Sequence, residues 1–290
     1  MFNNNPLKER LAKIFSDVCK DIDQGYYTDR DGDVVKFSGV KTLKYGTKMF
    51  YEDELGSPVI IGSPVSSTII RVENGDSFEV AKRMIQSGGS NVAVLNMASA
   101  KNPGGGVING SRAQEEELCR RSNLILSLYG VYSKGMFNFN LPDYDYPIPT
   151  YATIYTPNVT VYREPVTYDK VKEPYKVNII SAAMIIQPDL DENGDIEKKY
   201  VHIVKKKIRC VLRTALLTKN DRLVLGAWGC GAFGCPSKHM ARLFKKVLEE
   251  PEFSGAFSEI VFAILEDQNS VRSNNKEGNY KPFKEVFGWQ

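Results

Sequence analysis

From residue 68 onward, short apolar runs alternate with amphipathic stretches, and that alternation limits the fold more than any other feature. Residues 68–72, 92–96, 176–183, 222–227 and 259–265 read as strands, and 77–87, about 112–128, 196–217 and 237–249 as helices. Strands that are apolar at nearly every position suit a sheet covered on both faces. Interleaved with helices, they predict a three-layer α/β/α fold around a mixed, largely parallel sheet. Upstream, Leu7, Leu11, Ile14, Phe15, Val18 and Ile22 recur at helical spacing over 6–24, with Pro6 suited to the first turn and Gly25 to the stop. An acidic turn at 29–33 precedes a short strand at 34–37, and 151–155 and 159–162 are β-rich. The chain has 290 residues, enough for about two domains at roughly 150 each. No linker, repeat or low-complexity tract divides it. One domain over 1–290 is expected, with 1–60 as an N-terminal helical extension and 61–290 as the core.

Composition removes whole classes. Hydrophobic residues at 42% and charged residues at 25% exclude a disordered or fibrous chain. No apolar run approaches the roughly 18 residues of a membrane span, so no membrane partner is expected. Thirty-eight basic against 35 acidic residues leave +3, which does not demand a polyanionic partner. Five scattered cysteines argue against a disulfide framework and for a reducing, cytoplasmic setting, and the first residues lack the apolar core of a signal peptide. With two histidines and no CxxC pair, no metal site is expected.

Two glycine-rich loops could carry chemistry. The first runs from Asn96, at the end of a strand, where open α/β sheets place ligands, through Gly104, Gly105, Gly106 and Val107. Ser111 to Gln114 fits a capping box, which puts Glu115 and Glu116 in the first turn of the next helix. That acidic turn could equally be a plain complement to the helix dipole. The second loop, Gly229, Cys230, Gly231, Ala232, Phe233 and Gly234, matches G-x-G-x-x-G between a strand and a helix, a pattern that can cradle a diphosphate. Hydride transfer fits poorly, because the next strand ends only near Glu266 and the loop lies late in the chain. Cys230 and Cys235 read as small buried residues.

Other features have blander readings. Residues 189–200 resemble a calcium loop at several positions, but Tyr200 stands where a bidentate Glu is needed, so a polar turn is expected. Lys205, Lys206, Lys207, Arg209 and Arg213 form a basic run, read as a solvated helix face or a docking surface for a polyanion. His239 lies near a helix start with no nucleophile to serve. The aromatic segment 130–150 is either a self-packed surface loop or a pocket wall.

Three glycines, seven residues and then Gln114-Glu115-Glu116 resemble the GGG-x(6–8)-QEE signature of poly(ADP-ribose) glycohydrolases, in the microbial branch. Val94-Leu95-Asn96, Leu118 to Ser122, Ile154 to Val159 and Leu225 to Gly234 support the likeness along nearly the whole chain. The resemblance implies a macrodomain that binds ADP-ribose and releases it from poly(ADP-ribose), by exo-cleavage in preference to endo-cleavage, with neither cofactor nor metal; a monomer is expected. It implies Glu116 as general acid and base, with Glu115 orienting the ribose and Asn96 hydrogen-bonding it. Gly104, Gly105 and Gly106 would hold ribose and diphosphate from one side, and Val107 and Gln114 would also belong to the substrate-binding set. Gly229 to Gly234 would form a second phosphate loop, with Phe233 beside the distal ribose. A non-catalytic reader of the polymer, and a hydrolase of ADP-ribosylated protein or nucleic acid, stay open as alternatives. Met184 to Pro188 and Cys235 depart from the family pattern.

Overall fold

The computed structural model describes residues 5–39, 43, 45–60, 67–129, 132–133, 136–137, 146–266, 271 and 274–288. Most of the aromatic segment falls outside them. The chain forms two compact units, one of Met1–Met49, Ala98–Ile148 and Ile154–Ile179, the other of Phe50–Met97, Pro149–Thr153 and Ile180–Gln290.

The first unit opens with α1 (Pro6–Gln24), whose first N–H groups are capped by the Asn5 side chain and whose end is turned by Gly25 at φ 79°. A hairpin of β1 (Tyr26–Thr28) and β2 (Val34–Lys36) follows. Leu11, Phe15 and Val18 bury the inner face of α1. Asp21 at its end accepts from Tyr162 Oη, Arg163 Nη2 and Lys170 Nζ, so this buried carboxylate is fully paired. The unit also holds most of β8 (Thr153–Arg163) and β9 (Lys170–Ala182).

The second unit contains α2 (Glu52–Leu55), β4 (Ile69–Glu73), α3 (Ser77–Gln86) and β5 (Val92–Met97). It continues with α6 (Lys198–Leu217), β10 (Arg222–Leu225), α7 (Ser237–Leu248), β11 (Glu259–Ala263) and α8 (Tyr280–Phe287). The helices α4 (Gln114–Arg121) and α5 (Ile125–Tyr129) and the pair β6 (Tyr132–Ser133) and β7 (Met136–Phe137) belong to the first unit. With β3 (Lys48–Phe50), seven strands join in the order β3-β8-β9-β5-β10-β11-β4. The β5, β10, β11 and β4 strands run parallel, Leu223 standing opposite Ala93 and Ile260. Only six residues link β8 to β9, too few for the crossover a parallel pair requires, so these two run antiparallel. The sheet is mixed and the fold mixed α/β, as the alternation implies. Phe244, Phe262 and Phe283 form an aromatic core, with Phe244 edge-on to Phe262 at 5.2 Å.

Three expectations change, and two elements were not expected. The helix expected over 112–128 is two helices, because Ser122 and Asn123 leave it to pair with β8. Ser122 bridges Val161, and Asn123 exchanges hydrogen bonds with Thr160 through both backbone and side chain. The separate β-rich pieces 151–155 and 159–162 are one strand, β8, which passes through Asn158 at φ 56°. The β3 strand and α8 carry no periodicity long enough to predict them. The basic run is not a solvated face. Lys207 is buried and donates to the carbonyls of Thr150 and Ala183. Arg209 holds Glu250 with two hydrogen bonds, and buried Arg213 does the same with Glu252. Residues 189–200 form the expected polar turn, in which Asp191 Oδ1 accepts from the N–H groups of Asn193 and Asp195. All five cysteines are buried free thiols. Among the described residues, no helix is long and apolar enough to cross a membrane.

Candidate active site

The first glycine loop is built around two carboxylates. Glu115 Oε2 accepts from the backbone N–H of Ser99 at 2.7 Å and its Oε1 from that of Gly104 at 3.1 Å. Glu116 Oε1 accepts from Gly106 N at 2.9 Å, and its Oε2 from Ala113 N at 2.8 Å. Both side chains are buried, at 3% and 6% exposure. A buried carboxylate persists only where donors replace water, and here four backbone donors do so. Each carboxylate oxygen offers about two lone-pair sites, so these bonds leave Glu116 acceptor capacity toward a reacting group.

The glycines are required by this arrangement. Gly104 and Gly105 adopt φ of 71° and 60°. A Cβ on Gly105 would lie 2.5 Å from Glu116 Oε1 and 3.1 Å from Glu115 Oε2. The loop thus lies directly on both carboxyl groups. Val107 is fully buried, its methyl 3.2 Å from where a Gly104 Cβ would stand, so it packs under the loop. The helix is not capped by Ser111. Ala113 takes the N-cap position, and Glu116, three residues on, reaches back to its N–H. Gln114 opens α4 and is half-buried. Beside the pair, Glu117 Oε1 takes a hydrogen bond from Arg120 Nη2, and both Glu117 oxygens face Tyr168 Oη at 2.8 Å. Burial, and next the Glu117 charge, push the Tyr168 phenol up to about 12. Cys119 lies below Gly104; burial, with the charges of Glu115 and Glu116, holds its thiol well above the usual range and inert.

In the second unit, Asn96 is the last residue but one of β5. It is fully buried, its Nδ2 donates to Ser181 Oγ at 3.0 Å, and its Oδ1 has no partner among the described residues. A buried acceptor without a donor is uncommon, and a ligand hydroxyl would satisfy it.

The second glycine loop follows β10. Gly229 sits at φ 83°, where a Cβ would meet Met184 Cγ at 2.7 Å and Cys235 Sγ at 3.0 Å. Cys230 N donates to Ala227 O, Gly234 N to Gly231 O and Cys235 N to Gly229 O. The N–H groups of Gly231, Ala232 and Phe233 find no acceptor among the described residues, and Ala232 is exposed at the tip. Consecutive N–H groups without such acceptors, ahead of α7, suit an anion. The side chain of Phe233 is half-buried. Cys230 and Cys235 point inward, and burial raises both thiols, Cys235 to about 12. His239 is a backbone acceptor here, its Nδ1 taking Ile196 N at 2.8 Å.

Sequence reasoning missed Ser99 and Ala113, whose contribution is an amide N–H that any residue could supply. It also missed Asn274 and Asn275, which touch the second loop from a distant part of the chain, while Gln187, which touches it too, lies in the departing segment 184–188.

A buried carboxylate can give and take a proton, and a run of N–H groups without acceptors among the described residues suits an anion. Residues 16–164, or 149 of 290, match the microbial-type PARG catalytic domain. The chain is similar to poly(ADP-ribose) glycohydrolase from Thermomonospora curvata, at 29% identity and a TM-score of 0.78, over 96% of this chain and 99% of that one. The same enzyme bound to the inhibitor ADP-HPD gives a TM-score of 0.76 at 29% identity, with the same coverage. Poly(ADP-ribose) glycohydrolase from Deinococcus radiodurans in complex with ADP-ribose is 28% identical over 87% of this chain and 98% of that one, at a TM-score of 0.65. No curated protein matches. The chain belongs to the microbial-type PARG catalytic-domain family, and is thus a glycoside hydrolase.

Proposed function

We propose that this protein hydrolyses the ribose–ribose O-glycosidic bonds of poly(ADP-ribose) and releases ADP-ribose, with Glu116 as both acid and base. One observation carries the assignment of Glu116: its carboxyl group is locked between Gly106 N and Ala113 N, with Gly105 lying against it. Glu116 passes a proton to the leaving ribose oxygen. The anomeric C–O bond breaks, its electron pair goes to that oxygen, and an oxocarbenium-like centre forms. Water then attacks this centre and returns a proton to Glu116. The negative diphosphate stabilises the developing cation.

Glu115 anchors the loop through Ser99 N and Gly104 N, and so orients the ribose by fixing the backbone that faces it. Asn96 Oδ1 accepts from a ribose hydroxyl. The diphosphate takes the open N–H groups at 231–233, with Phe233 beside the distal ribose. Gly104, Gly105 and Gly106 meet the ligand with their Cα surface, since their own N–H groups already have acceptors in the chain. Exo-cleavage by a cytoplasmic monomer, on polymer attached to protein or nucleic acid, without metal or cofactor, completes the reading.

The test is Glu116→Gln with labelled polymer and separation of free ADP-ribose. The variant keeps ADP-ribose binding and loses release. Near wild-type release rejects the assignment. Wild-type protein that binds polymer without cleaving it makes the chain a reader.

A further inference from the structure

The second loop leaves the N–H groups of 231–233 without acceptors among the described residues, while each carbonyl from 229 to 235 except that of Ala232 takes a donor, four of the six from residues outside the loop. Asn275, buried at 3% exposure, donates from Nδ2 to Cys230 O at 2.8 Å and to Cys235 O at 3.1 Å. One amide therefore ties both ends of the loop. Its Oδ1 accepts from Ser237 N at 2.7 Å, which satisfies the first turn of α7. Asn274 Nδ2 donates to Gly234 O at 2.8 Å. From the other side, Gln187 N donates to Phe233 O at 2.7 Å, with Gln187 at φ 47°, and Cys235 Sγ reaches Ile185 O at 3.5 Å. Met184 to Gln187 and Cys235, which both depart from the family pattern, thus meet at the same loop. Gly229 O and Gly231 O are taken within the loop. A carbonyl turned toward a diphosphate would repel it, so holding these carbonyls back is part of making an anion site.

Resting on the functional reading above, we infer that Asn275 is a positioning residue for substrate binding: its Nδ2 holds the loop carbonyls inward so that the N–H groups of 231–233 face the diphosphate. Its two ends have separable tasks. The Oδ1 end caps α7, a structural task that Asn275→Asp preserves. The Nδ2 end is lost in that variant, and Asn275→Ala loses both ends without adding charge.

The experiment measures binding of ADP, ADP-ribose and adenosine to the full chain by calorimetry, with kcat and KM on polymer. Both variants should bind ADP and ADP-ribose about tenfold more weakly, the usual scale for losing a positioned hydrogen bond. Adenosine, which lacks phosphates, should be unaffected, and KM should rise with little change in kcat. Asn275→Asp that binds ADP like wild type overturns the inference, because capping alone would then explain the residue. A parallel loss for adenosine overturns it too. Should Asn275→Ala fail to fold, Asn275→Ser decides, since it too removes Nδ2 without adding charge: weaker ADP binding supports the inference, and unchanged binding refutes it. Wild-type protein that binds neither ADP nor ADP-ribose refutes the functional reading itself, and this inference with it.

Discussion

In the loop after β5, the N–H groups of Gly104 and Gly106 go to Glu115 and Glu116, and that of Gly105 goes to Asn102 O. In the loop after β10, those of Gly231, Ala232 and Phe233 have no acceptor among the described residues. Both loops follow a buried parallel strand and lead toward a helix, and both use glycines at positive φ. Glycine content therefore does not say what such a loop does. The occupancy of its donors does. The first loop has filled its own donors with the chain's carboxylates, as a mount for the proposed acid would. The second leaves three donors without acceptors among the described residues, as the proposed phosphate site would.

The widest separation between the two loops is expected at Glu116. Glu116→Gln should cut polymer hydrolysis by about 10³-fold, within the range for a lost acid–base group, while ADP-ribose affinity stays within about threefold. Chromatographic release of ADP-ribose and calorimetry measure the two sides. Equal losses in both would erase the distinction.

Gly105→Ala comes next. It forces a side chain into the left-handed region and places Cβ 2.5 Å from Glu116 Oε1. A displaced carboxyl group should lower kcat about 10²-fold and leave ADP binding nearly unchanged. Gly229→Ala is its mirror. At φ 83° with Met184 Cγ at 2.7 Å, the added methyl moves the second loop. ADP affinity should fall about tenfold, with a smaller change in kcat on saturating polymer. If the two variants behave alike, the loops do not divide the work.

The smallest effect on either loop is expected from Lys207, which belongs to the frame. Burial pulls its ammonium down to about 8 from 10.5. Below about pH 8 folded and unfolded chains both carry the proton, and the cost of burying the charge is present in full. Between those values the unfolded chain binds more protons, so stability rises with pH, by up to about 3 kcal/mol. Urea unfolding of wild type against Lys207→Met over this window checks the sign. Wild type should gain on the variant as pH rises, and a flat difference would show that Lys207 does not titrate there. Tyr27 and Tyr168, both raised to about 12 by burial first, act in the opposite direction above about pH 10, and are common to both proteins.

The central strands were readable because a buried parallel strand must be apolar along its length, as Val92 to Leu95 and Leu223 to Leu225 are. The break at Ser122 was not, because the hydrogen bonds that end α4 come from β8, nearly forty residues on. The basic run misled for a related reason: charge in a sequence says nothing about partners, and Glu250 and Glu252 lie some forty residues from the arginines they neutralise.

By itself the sequence determined where the chain can bend and which side chains can move a proton, since glycine spacing and the Glu115-Glu116 pair are local facts. Tertiary structure alone decided which backbone donors are occupied and which are open. Hydrogen bonds saturate, and their partners here, Glu116 for Gly106 and Asn275 for Cys230, are brought together by folding rather than by adjacency.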